Sequence, residues 1–219
     1  MRFLAARPRH GLLLLASLLV GFSLAAPTAL AKPNVAKPPP PPDWIASTLA
    51  SQPVSGPDCG NPSLSQPFAS YNDFAYYTPA PGGNRFNGWI LLGGAAAGST
   101  TLASGGTGSA LDLPSESLAI SPPMCVDANY PRARTMVRNL VGGGGVSVFV
   151  VYAGTSGWGK ARHAGDAHGK GPNWGLSDPL NVQPSHAPGW QLVRFAFAAS
   201  GDSSQFQLYN FYVDPYAKG

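Results

Sequence analysis

The sequence predicts an all-β protein, an antiparallel sandwich of the jelly-roll kind with about eight strands. Three observations carry that prediction. Turn formers are abundant, with 27 Gly and 23 Pro among 219 residues, while only 11% of residues are charged and Glu116 is the single glutamate. Strong helix formers are therefore sparse. Apolar residues recur in short alternating segments bounded by Gly, Pro, Asn, Asp and Ser, which is strand patterning. Finally, no run of about 20 apolar residues follows the first 31 positions, so no membrane-spanning helix is expected in the remainder.

Those first 31 residues read as a secretion signal. Arg2, Arg7 and Arg9 form a positive n-region, Gly11 to Ala26 an apolar core, and Ala29-Leu30-Ala31 a small-x-small cleavage site. Cleavage would start the mature chain at Lys32 and place it outside the cytoplasm, secreted or at the cell envelope. The chain carries 14 Lys+Arg and 10 Asp+Glu, and three of the basic residues lie in the signal, which leaves 11 against 10. A nearly neutral mature chain gives no support for nucleic acid as a partner. Arg132, Arg134 and Arg138 are evenly spaced on an expected strand and read as one solvated sheet face.

Residues 32–57 read as a proline-rich linker, because the five prolines Pro38 to Pro42 favour an extended polyproline II spacer. Within it, Asp43 is placed to cap a short helix over Trp44 to Ser51. The sandwich domain is expected over 58–216. Its strands are expected at Phe74 to Thr78, Gly88 to Leu92, Ser109 to Leu113, Leu118 to Ser121, Thr135 to Leu140, Val146 to Ala153, Trp190 to Ala198 and Gln205 to Val213. Gly142-Gly143-Gly144-Gly145 reads as the turn of a hairpin from Thr135 to Ala153. In the strand from Trp190, the residues Val193, Phe195 and Phe197 share the face expected in the core. In the last strand Phe206 and Leu208 are out of phase with Phe211 and Val213, which predicts a bulge near Tyr209-Asn210. In an oxidising compartment the two cysteines, Cys59 and Cys125, are expected to form a disulfide.

Catalytic signatures are missing from the sequence. Glu116 has Asp112 as its nearest acidic neighbour, around Pro114, and the pair reads as a solvated turn rather than as glycosidase carboxylates. Gly154-Thr155-Ser156-Gly157 is not a nucleophile elbow, and the glycine run lacks the Lys-Ser or Lys-Thr of a phosphate loop. The mature histidines are His163, His168 and His186, which leaves few candidates for a general base. His163-x-x-Asp166-x-His168 fits no specific metal spacing, so neither a metal nor a cofactor is expected. The most chemical stretch is the expected loop from Gly154 to Pro179. There Trp158 and Trp174 are candidate stacking platforms for a sugar ring, with His163, Asp166, His168 and Asn173 as polar contacts. Plugging of the core by the tryptophans is the competing reading.

Four segments together carry a family resemblance: Cys59 to Phe68, Tyr76 to Gly83, Ser121-Pro122-Pro123-Met124-Cys125-Val126, and Tyr212-Val213-Asp214-Pro215-Tyr216. They resemble a group of uncharacterised exported bacterial proteins with one jelly-roll domain similar to carbohydrate-binding modules. The resemblance spans about Cys59 to Tyr216 and brings no catalytic or binding residues with it. It implies a non-catalytic module of the cell exterior whose partner is an extracellular saccharide. The alternatives are an extracellular structural or protein-interaction module and, after that, an unrecognised hydrolase.

Overall fold

Two antiparallel sheets packed face to face hold all fourteen strands of the described residues. The computed structural model describes residues 42–82, 85–127, 132–182 and 189–215. The chain divides into two units, Met1–Ala36 and Lys37–Gly219, and every described residue belongs to the second. The expected export signal, the prolines before Pro42, Gly83, His186 and Tyr216 lie outside the described residues. No helix among the described residues is long and apolar enough to cross a membrane.

In chain order, helix α1 (Asp43–Ala50) is followed by β1 (Thr78–Pro79), β2 (Ile90–Leu92), β3 (Ala96–Thr101), β4 (Thr107–Pro114), β5 (Leu118–Ile120), β6 (Met124–Asp127) and β7 (Arg132–Val141). Then come β8 (Val146–Gly154), β9 (Gly157–Trp158), β10 (Arg162–Ala167), β11 (Gly175–Leu176), β12 (Leu180–Asn181), β13 (Trp190–Ala199) and β14 (Gln205–Asp214). One sheet runs β11-β7-β14-β4-β3, with β1 and β12 added on β14 and β7. The other runs β10-β8-β13-β5-β2, with β6 on β13 and β9 on β8.

Strand alternation decides what each sheet buries. Leu111, Leu113, Val137, Phe206 and Leu208 of the first sheet meet Val148, Val150, Val193, Phe195 and Phe197 of the second in one core. Phe211 packs edge-on against both Phe195 and Phe197, with ring centroids 4.9 Å apart in each pair. Burying each such side chain contributes about 1.5–3 kcal/mol. The expected core face of β13 is thus in the core. The expected bulge is present too: the β14–β7 register shifts between Tyr209 and Tyr212, and Asn210 takes a φ of 53°. That extra residue lets Phe206 and Leu208, then Phe211 and Val213, all face inward.

Several expectations need correction. All eight expected strand segments contain strands, but the one at Phe74 to Thr78 shrinks to β1 and an isolated bridge between Ser65 and Tyr77. The Gly142–Gly145 run is not a hairpin turn. It carries the chain from β7 in one sheet to β8 in the other, over the turn at Ser200–Ser204. The expected loop from Gly154 to Pro179 holds three strands, because β10 pairs along β8 and β11 crosses back to pair with β7. Asp43 stands in the first turn of α1, and the cap position belongs to Pro42.

Helix α1 covers the outer face of the second sheet. Ile45 and Leu49, one turn apart, are buried there with Leu118, Ile120, Phe149, Val151, Ala196 and Ala198. The described part of the proline-rich segment is therefore packed through α1. Cys59 and Cys125 are disulfide-bonded, with Cα atoms 5.5 Å apart, which ties the chain after α1 to β6.

Candidate functional site

The outer face of the β11-β7-β14-β4-β3 sheet concentrates polar and aromatic side chains. Alternation turns Arg134, Met136 and Arg138 of β7, Gln207 and Tyr209 of β14, and Ala110 and Asp112 of β4 away from the sandwich core. Arg138 donates from Nε and Nη2 to Gln207 Oε1, at 2.8 and 2.5 Å, and from Nη2 to Thr100 Oγ1 at 2.7 Å. Gln207 in turn donates through Nε2 to Asp112 Oδ1. These contacts form one polar row across four strands. They fix the guanidinium flat, with its carbon 4.4 Å from the centre of the Trp174 ring.

Trp174 is half-buried on this face. Its indole N–H donates to Thr101 O at 2.8 Å, and its ring stands edge-on to Tyr209 with centroids 4.6 Å apart. The Tyr209 hydroxyl accepts from the Ala103 N–H at 3.1 Å, and burial pushes its pKa up.

The chain from Ser65 to Tyr77 closes one end of the face. Phe68 and Tyr77 are buried against Met136, Ala110 and Tyr209. Asp73 locks the segment down, accepting from Arg134 Nη1 at 2.7 Å, from the Tyr77 hydroxyl at 2.8 Å and from the Ala75 N–H at 3.0 Å. Burial alone would raise the Asp73 pKa, but these donors outweigh it and hold the carboxyl below its ordinary value. Burial, followed by the bond to Asp73, raises the Tyr77 hydroxyl far above a free phenol. The clamp leaves Tyr71, Phe74 and Tyr76 outside, 41%, 62% and 53% exposed.

The six candidate residues do not share one surface. Trp174 and the exposed Asn173 stand at this face. Trp158 packs on the outer face of the other sheet, where its N–H donates to Pro53 O at 3.3 Å and the Arg194 guanidinium lies 5.0 Å from its ring centre. His163 and Asp166 are there as well. His163 Nε2 lies 3.1 Å from Asp166 Oδ1, Ser147 Oγ donates to the same oxygen at 2.7 Å, and the imidazole stands edge-on to Phe149. His168 is exposed just past β10, beside Gly145. Neither tryptophan belongs to the cluster between the sheets.

Ser147, Asp166 and His163 resemble a catalytic triad only in composition. The serine proton goes to the carboxylate rather than to the imidazole, so no base stands on the hydroxyl. Among the described residues no three His, Cys, Asp or Glu side chains gather as a metal site would need. Asp112 is held by Gln207, and Glu116, at a φ of 62°, is exposed where the chain crosses between sheets. Of the expected solvated arginines, Arg132 is exposed, but Arg134 and Arg138 are both engaged. Sequence reasoning missed the roles of Arg138, Gln207 and Tyr209; the alternation of β7 and the bulge in β14 were the available signals.

The fold is a two-sheet antiparallel β-sandwich. No family model matches the sequence, and no curated protein matches it. Solved structures of similar fold include the xylan-binding domain from carbohydrate-binding module family 22. It is 11% identical, with a TM-score of 0.44 over 64% of this chain and 97% of that one. They also include TmCBM61 in complex with β-1,4-galactotriose, 13% identical, with a TM-score of 0.38 over 64% and 95% of the two chains. A third is the enzymatically active domain of bacteriophage CBA120 tailspike protein 4, 10% identical at a TM-score of 0.41. That match covers 59% of this chain and only 20% of the tailspike chain. The likeness is one of fold.

Proposed function

We propose that the protein is an exported, non-catalytic module that binds a saccharide on the outer face of the β11-β7-β14-β4-β3 sheet. The observation that carries this reading is the half-exposed indole of Trp174, pinned beside a hydrogen-bonded row of Arg138, Gln207, Asp112 and Thr100. A sugar ring offers apolar C–H faces and a rim of hydroxyls. A fixed aromatic ring next to planar donors and acceptors complements both. The exposed Asn173 directly precedes Trp174 in the chain. The saccharide-binding proteins of similar fold agree with the proposal without selecting a sugar.

A glycan array probed with the full exported protein tests the reading, with positives measured again by calorimetry. Trp174→Ala is expected to abolish binding while lowering stability by only about 1–2 kcal/mol, since the ring is half-buried. Trp158→Ala, on the opposite sheet, is expected to leave affinity unchanged. A proven saccharide that binds Trp174→Ala as tightly as the wild type would overturn the proposal. The exposed Phe74 and Tyr76 favour a second reading, docking of another protein. In that case no glycan binds, and Phe74→Ser removes a protein partner instead.

A further inference from the structure

A cavity of about 610 Å³ lies beside α1 on the second sheet, away from the face just described. Its volume is in the range that takes small molecules. Trp44 and Phe149 give it two aromatic rings, and Glu116 and Asp202 bring carboxylates to it from two neighbouring crossings between the sheets.

Most of the polar groups in its wall are acceptors. Each serine that lines it has already committed its proton: Ser115 to Gly201 O, Ser147 to Asp166 Oδ1 and Ser200 to Gly145 O. Their oxygens can therefore only accept. Glu116 and Asp202 are exposed, and among the described residues their carboxylates make no hydrogen bond or ion pair. No Lys or Arg lines the cavity. Apart from the Trp44 indole N–H, its side chains thus present acceptors, negative charge and aromatic rings. An anion or a neutral apolar molecule would leave both carboxylates uncompensated. A cation with several N–H donors satisfies them, and its charge is attracted to the ring of Trp44.

We propose that this cavity is a second binding site, independent of the Trp174 face, whose ligand is a small organic ammonium ion. The shared chemistry is a primary ammonium, carried either on a sugar ring or on an alkyl chain. Glucosamine and butylamine represent the two sources, and N-acetylglucosamine is the uncharged control.

The test is a titration of the full protein followed by the indole N–H signals of its tryptophans, with the Trp44 signal assigned from a Trp44→Phe variant. Both ammonium probes are expected to move the Trp44 signal, and N-acetylglucosamine is not. The tighter of the two probes identifies the source. The double variant Glu116→Gln/Asp202→Asn, at two exposed positions, is expected to bind about fivefold more weakly, as two partly screened ion pairs imply. Trp44→Leu, which keeps apolar cover over the sheet, is expected to weaken binding about threefold. Trp174→Ala is expected to leave the titration unchanged, so its failure and that of the saccharide face are separable. The proposal is overturned if neither ammonium moves the Trp44 signal, if the uncharged sugar moves it equally, or if the double variant binds as the wild type does.

Discussion

Substituting Gly144 tests the crossing between the sheets more sharply than any core deletion. Gly144 has a φ of 96°, and a Cβ built on it would overlap the carbonyl oxygen of Ser200 and lie 3.0 Å from the Cα of Gly201. Both obstacles are backbone, held in place by the Ser200 N–H donating to Gly145 O at 3.0 Å. For an L-residue the left-handed conformation costs about 1–2 kcal/mol. Forcing a methyl into packed backbone adds about 1–3 kcal/mol. Gly144→Ala is therefore expected to lose about 3 kcal/mol, which for a domain of this size is roughly a 6–12 °C fall in melting temperature. Gly143 supplies the control. It has no positive φ, and a Cβ there would meet nothing within 4 Å. Gly143→Ala is expected to stay within about 0.5 kcal/mol of the wild type. Paired urea titrations of the two variants measure the difference. Equal stabilities would refute the argument, since a free turn between two paired strands would not distinguish adjacent glycines in this way.

Removing the disulfide with Cys59→Ser/Cys125→Ser opens a loop spanning a sequence separation of 66, and the chain-entropy relation puts the loss at about 4 kcal/mol, readable as a lowered urea midpoint. Asp73 gives a pH signature. Its folded pKa is depressed, so its contribution is fully present above the unfolded value of about 3.9 and is lost as pH falls through the folded value. The melting temperature of Asp73→Asn is accordingly expected to lie below that of the wild type at pH 6, and the gap should narrow at pH 3. An unchanged gap would remove the clamp from the account. Intact mass of exported material is expected to show a chain beginning at Lys32, and a mature protein starting at Met1 would exclude the signal.

The sandwich was readable because its central strands alternate cleanly. Phe195 and Phe197 against Arg194 and Ala196 leave one choice of inward face, and the phase slip between Leu208 and Phe211 can only be a bulge. β3 was invisible for the opposite reason: Ala96–Thr101 is an edge strand of small residues with no buried position, so nothing in it alternates. The glycine run misled because glycine reports a backbone angle and says nothing about which sheet the next strand joins. The same gap dispersed the expected site. Trp158 and Trp174 are 16 positions apart in the sequence, yet β10 pairs in one sheet and β11 in the other. Arg138 read as solvated because its partners, Gln207 and Thr100, are 69 and 38 positions away.

The bond between Cys59 and Cys125 also sets how this protein bears mechanical load. Tension arriving through the chain before Pro42 first meets α1, which is held to the sheet by side-chain packing and yields one turn at a time. Peeling can proceed as far as Cys59, where the strain passes through a covalent link into β6. β6 is laddered to β13 from Trp190 to Val193, and β13 runs through the middle of its sheet. A pull from that end would extend the chain up to Cys59 before it loads the strands laddered to β13.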